Sequence, residues 1–225
     1  ITIMTQLLAT VLPSIILVYF FVTQDRFPEP KKIIIITFVL GILITIPAGF
    51  LNSYLIDYFY YNFRFHNYYN EIETFFVGPF TEEILKFCII FFYCSRLDDF
   101  DEPMDGLVYG ATAALGFAMA ENFDYVYNAS DFNSTWQDVA WIRALSTAPM
   151  HAACGAMIGF AVSYYHFYNK KLIFLIIGLL IAIFFHFLFN YGFFDLIVIV
   201  QLIILFFLFR HLKKKQAIVS KVWQT

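Results

Sequence analysis

Apolar residues fall into seven blocks along this chain, each near the ~20 residues that an α-helix needs to cross a bilayer. The blocks run roughly 2–22, 33–55, 74–96, 106–127, 139–167, 172–191 and 194–210. Short polar stretches interrupt them: TQDRFPEPKK, the aromatic DYFYYNFRFHNYYNEIE, LDDFDEPMD, NASDFNSTWQD and YNKK. The Tyr and Phe of the second interruption suit a membrane–water interface, and its residues 57–70 could also cover a site mouth. The pattern predicts an all-α membrane protein, a bundle of about seven transmembrane helices. It reads as a single polytopic domain over 1–225, with no repeat and no appended soluble domain. The first block lacks a basic leader and a small-residue cleavage site, so it is expected to be a retained span.

Lys and Arg decide the direction of threading, because cytoplasmic loops collect them. With the C-terminus cytoplasmic and the N-terminus outside, the inner segments hold Arg26, Lys31, Lys32, Arg96, Lys170, Lys171, Arg210, Lys213, Lys214, Lys215 and Lys221. Arg64 alone falls in an outer loop, while Lys86 and Arg143 lie within spans. Composition agrees: the chain is 61% hydrophobic with 30 Phe and a mean hydropathy of +0.72, against about 45–50% apolar for soluble domains. The net charge of −3 says little about partners. No basic tract interleaved with aromatics marks a nucleic-acid surface, so lipid is the expected environment. Cys88, Cys94 and Cys154 sit inside apolar runs, with neither disulfide nor CxxC spacing.

Ionisable groups inside spans are costly and mark functional sites. Here they are Glu82, Glu83, Lys86, Glu121, Arg143, His151 and His186, with Asn190 one turn beyond the last. At a rise of about 1.5 Å per residue, Glu82 and Glu83 fall about 12–14 Å below the outer surface, Glu121 about 10 Å, His151 about 18 Å and His186 about 8–10 Å. Four spans thus deliver acids and imidazoles to one half of the bilayer. Helical spacing aligns Gly78, Glu82 and Lys86 on one face. It likewise aligns Gly106, Gly110 and Ala114 leading to Phe117 and Glu121; Thr147, His151, Gly155 and Gly159; and Gly178, Ala182, His186 and Asn190. Small residues on these stripes allow close helix approach.

Two imidazoles and a carboxylate from three helices form a ligand set for catalytic zinc, which takes three protein ligands and leaves a position for water. His151, His186 and Glu121 are the candidate ligands, and other divalent ions suit the same donors. Glu82 or Glu83 is the candidate base. Asn190 is placed to hydrogen-bond a substrate carbonyl, and Lys86 to pair with either acid. Each residue alone has a plainer reading. A lone histidine is commonly a helix-contact residue, Glu121–Asn122 an interfacial polar pair, and Arg143 a snorkelling cation. HExxH, GxSxG and GxGD are absent.

The motifs EEILK at Glu82, FAMAEN ending in Glu121–Asn122, APMHAACGAMIG around His151 and HFLFN at His186 resemble the PrsW family of intramembrane proteases. The likeness covers roughly 75–192, in order and with similar spacing. It resembles more distantly the CAAX prenyl protease and bacteriocin-processing superfamily, from which it departs at Glu121 and Lys86. The resemblance implies a membrane-embedded, metal-dependent protease in a prokaryotic plasma membrane. It also implies a first, outer-side cut in a single-span membrane protein such as an anti-sigma factor. A proton-coupled transporter, or a non-catalytic immunity or scaffold protein of the same fold, is the alternative from the residues themselves.

Overall fold

The computed structural model describes residues 2–63, 76–129 and 134–222. Arg64, Asn133 and the second half of the 57–70 segment expected to cover the site lie outside these. Among the described residues the α-helices are α1 (Thr2–Gln24), α2 (Lys31–Leu43), α3 (Thr45–Phe63), α4 (Gly78–Cys88), α5 (Pro103–Tyr127), α6 (Trp136–Ile142), α7 (Ala148–Tyr164), α8 (Leu172–Asn190) and α9 (Phe194–Val222). They join into seven helical rods, matching the seven apolar blocks, and no strand occurs among the described residues. The all-α bundle expected from the sequence is the fold observed.

Local chemistry explains where the rods change pitch. α2 passes into α3 at Ile44, three residues before Pro47, whose missing N–H and bulky ring disturb the preceding turn. α6 passes into α7 through a π turn, Arg143–Thr147, just before Pro149 in the first turn of α7. The wider i→i+5 turn accommodates the proline without ending the rod. α4 likewise continues through a π turn, Ile89–Tyr93, and a 3-10 turn, Cys94–Arg96.

α5 is the axis of the bundle. Every residue from Met104 to Ala118 is buried, and α7, α2 and α1 pack around it. Small residues make this possible. A Cβ on Gly110 would overlap the Gly155 carbonyl oxygen, and one on Gly155 would overlap that of Gly110. Gly106 and Gly159 face each other in the same way one turn further on, while Gly116 meets the Phe38 carbonyl of α2. The small-residue stripes expected from the sequence are therefore the α5–α7 contact.

Five rods are long and apolar enough to cross a membrane: 3–24, 31–62, 136–168, 172–190 and 194–216. They expose apolar side chains at helical spacing, such as Ile173, Ile177, Leu180 and Phe184 on α8. Such faces suit lipid, and the protein is a multi-pass membrane protein. The α4 and α5 rods are more polar: α5, which carries Glu121, is enclosed by the others, while the α4 rod buries Glu82, Glu83 and Lys86 and exposes Phe80 and Phe92.

At the far end of α5 from Glu121, the α1–α2 connection folds against the first turn of α5 and the end of α9. Asp25, Glu29 and Asp105 are buried there. Burial, and then the nearby Asp25 and Asp101 carboxylates, push Glu102 up to about 8 against the favourable hydrogen bond from Gln216.

Candidate active site

Four rods bring the ionisable residues together. Glu83 on α4 is completely buried and accepts a hydrogen bond from Lys86 Nζ at 2.8 Å. The same oxygen, Oε1, lies 2.8 Å from His186 Nδ1 on α8. Lys86 Nζ also lies 2.9 Å from His151 Nδ1 on α7 and sits over the Phe117 ring of α5 at 4.2 Å. His151 Nε2 lies 3.0 Å from Glu121 Oε2 on α5. The two imidazole rings meet edge to face, with centroids 4.9 Å apart. Glu82, Glu83, Lys86, Glu121, His151 and His186 thus form one connected network, as the depth reading expects. Asn190 lies one turn beyond His186 on α8 and is half-buried.

The hydrogen bonds fix the imidazoles. With Nδ1–H given to Glu83, His186 presents a bare Nε2, 4.0 Å from Glu82 Oε2. A carboxylate behind a histidine in this way holds its tautomer and ring plane for metal binding. Lys86 ammonium is a donor only, so His151 Nδ1 accepts from it and the Nε2 proton points to Glu121.

Arg143 was expected to snorkel towards the surface. Instead its Nε donates to Asn122 Oδ1 at 2.6 Å and its NH2 to Glu121 Oε2 at 2.7 Å. Its guanidinium lies 3.9 Å from the Tyr125 ring centroid. Asn122 is therefore a buried part of the site and not a surface residue. The sequence signals for this pairing are a second intramembrane cation and its alignment above His151. Arg143 stands four residues before Thr147 and eight before His151, so helical spacing aligns it above them; its depth near the outer surface is the ground for expecting it to snorkel.

The donors fit a metal. Glu82, Glu83, His151 and His186 are all buried and each offers a ligand atom within 4.8 Å of the others. Glu82 Oε2 and Glu83 Oε2 are buried without hydrogen-bond partners, which is costly unless a cation or proton meets them. Glu121, expected as a ligand, lies outside that quartet, tied to Arg143 and His151.

Two cavities border α3 and α4. One, of about 400 Å³, has polar walls and is lined by Thr45, Asn52, Glu82, Phe117, Glu121 and Asp124, among others. Thr81 Oγ1 donates to Asn52 Oδ1 beside it. The other, of about 740 Å³, is apolar and open to the side between α3, α4 and α8, with Leu55, Phe59, Phe80, Ile183 and Phe187 on its walls.

Residues 29–212 match the family model described as PrsW family intramembrane metalloprotease. The chain belongs to the PrsW family. Proteins named Protease PrsW are similar to it: that of Oceanobacillus iheyensis is 30% identical over 68% of this chain and 65% of its own length. The Geobacillus kaustophilus protein is 29% identical over 72% of this chain and 68% of its own length. The Clostridioides difficile protein is 28% identical over 86% and 79%. The chain thus spans just under two thirds of the Oceanobacillus relative. No solved structure matches it. The matched region contains every residue of the network, so the buried cluster belongs to the PrsW family portion of the chain.

Proposed function

We propose that this chain is a metal-dependent intramembrane endopeptidase that cleaves a single-span membrane protein. The observation that carries this reading is the convergence of Glu82, Glu83, His151 and His186 in one buried cluster beside a partly polar cavity of about 400 Å³. Zinc is the metal proposed, because two imidazoles with carboxylates suit it. When bound, it supplies Lewis-acid polarisation and acidifies water.

His186, through its bare Nε2, and His151, on giving up the Nε2 proton it directs at Glu121, would hold the metal with Glu121. Glu83 keeps the His186 ring in plane and its Nε2 bare. Lys86 neutralises Glu83, while Arg143 neutralises Glu121, so the site gathers acids without their full repulsion. Glu82 lines the polar cavity while Glu83 is sealed behind it. Glu82 is therefore the proposed base that takes a proton from water and returns it to the leaving amine. Asn190 is the proposed donor to the substrate carbonyl.

A substrate helix would enter sideways along the apolar groove between α3, α4 and α8. Its scissile segment must unwind, since helical carbonyls are already bonded and only backbone lining a cavity stays irregular at this depth. The distribution of Lys and Arg supports an N-terminus outside and a site in the outer half of the bilayer, and the bacterial relatives support a prokaryotic plasma membrane. A cysteine at Ser134 is then labelled from the outside; labelling from the cytoplasm alone would reverse this orientation.

The test pairs metal analysis with cleavage of a reporter single-span protein. Glu82→Gln should keep stoichiometric metal and lose cleavage by 10²-fold or more, the usual contribution of a general base. Undiminished cleavage in that variant removes Glu82 from the role. Absence of any bound metal in active wild-type protein removes the metalloprotease reading.

A further inference from the structure

At the opposite end of α5 lies a second gathering of acids that the peptidase reading does not use. Asp105 stands sixteen residues before Glu121 on the same helix, so the two sites are about 24 Å apart. Asp25 follows α1, Glu29 precedes α2, and Asp105 lies in the first turn of α5. All three are more than nine-tenths buried: Asp25 is 8% exposed, Glu29 7% and Asp105 0%. Each offers an oxygen within 4.8 Å of the others.

Their hydrogen bonds hold the carboxylates in place without neutralising them. Asp105 Oδ2 accepts from the backbone N–H groups of Asp101 at 2.8 Å and Glu102 at 2.6 Å. Asp25 Oδ1 accepts from Phe27 N–H at 2.9 Å and Gln216 Nε2 at 2.7 Å. Tyr109 O–H donates to Glu29 Oε2. These donors occupy one oxygen each and carry no charge. The remaining oxygens of two aspartates, Asp25 Oδ2 and Asp105 Oδ1, are buried with no hydrogen-bond partner at all. Burying unpaired carboxylates costs several kcal/mol each, so a positive species belongs among them.

We propose that Asp25, Glu29 and Asp105 form a second cation site, for a hard divalent ion of the calcium or manganese class. Three oxygens and no imidazole or thiolate select such an ion over zinc. Oxygens that share a calcium-sized ion at about 2.4 Å each stand no more than about 4.8 Å apart, and the three oxygens lie within that limit. The bound ion joins the α1–α2 connection to the start of α5, and through Gln216 to α9. Its role is to clamp this end of the bundle, independently of the peptidase chemistry.

The test uses the full chain in detergent, stripped with EDTA and titrated with Mn²⁺ while free Mn²⁺ is read by electron paramagnetic resonance. A Glu29→Gln/Asp105→Asn variant should bind one Mn²⁺ fewer than wild type, and Ca²⁺ should displace that ion from wild type. Equal stoichiometry in the two proteins overturns the proposal. The second measurement needs no variant: Ca²⁺ should raise the wild-type unfolding temperature by on the order of 5 °C, reversibly with EGTA. An unchanged unfolding temperature with no Mn²⁺ uptake overturns the proposal and leaves shared protons as the species that neutralises the cluster.

Discussion

Replacing Glu83 with glutamine tests the electrostatic construction of the site in one atom. Glu83 and Lys86 are both fully buried, and their 2.8 Å contact lies where water cannot screen it. Removing one partner of such a pair costs about 3–5 kcal/mol, most of it the uncompensated charge left behind. Two features soften that loss here. The amide keeps a carbonyl acceptor for Lys86, and the Phe117 face still contributes about 1 kcal/mol. Glu82 Oε2, 3.7 Å from Lys86 Nζ, supplies a weaker counter-charge. The expected destabilisation of Glu83→Gln is therefore about 2–4 kcal/mol, a roughly 30- to 700-fold shift in the unfolding equilibrium. Lys86→Met should cost a similar amount, because it strands Glu83. The double variant removes both charges together and should be more stable than the sum of the singles by about 2 kcal/mol or more. Reversible unfolding in mixed micelles, followed by tryptophan fluorescence, measures all four proteins. Strict additivity of the two single losses would refute the pairing as the source of stability.

Two further outcomes follow from the same geometry. Arg143→Ala should weaken metal binding 10- to 100-fold by releasing Glu121 and Asn122, and Arg143→Lys should recover little, since one ammonium cannot span both acceptors; competition against a chromogenic chelator reads this, and unchanged affinity would make Arg143 a surface anchor. Gly110→Ala should destabilise by about 1–3 kcal/mol or prevent folding because its Cβ meets α7 backbone, whereas Gly49→Ala on α3, with open space around it, should be neutral or stabilising by up to about 1 kcal/mol; equal effects at the two positions would contradict the close α5–α7 approach.

Much of this arrangement is legible in the chain because a membrane imposes simple rules. Blocks of about 20 apolar residues locate the rods, and glycines four apart locate the α5–α7 seam. A carboxylate in such a block is conspicuous, so Glu83, Glu121, His151 and His186 stand out before any coordinates. Other features escape for physical reasons. Glu82 and Glu83 are about 100° apart on one helix, and periodicity alone cannot say which faces the cavity and which faces His186. Arg143 aligns with His151 but lies near the outer end of its span, where a long cation can reach the surface as readily as Glu121 and Asn122. Asp25, Glu29 and Asp105 look like ordinary loop acids, because nothing periodic in a connection reveals what it folds against.

The burial of the ionisable residues of α4 and α5 also bears on how the protein is made. An isolated charge at the centre of a span costs about 2.5–3.5 kcal/mol on insertion, and α4 carries three ionisable residues within five positions. Left alone in lipid as it emerges from the ribosome, this helix would not stay there. Its partners, His151 and His186, are synthesised roughly 70 to 100 residues later. α4 and α5 must therefore be sheltered at the translocon, or by α1 and α2, until α7 and α8 arrive. Chains truncated before α7 should be extracted and degraded, so the polar centre that serves chemistry also sets the order of assembly.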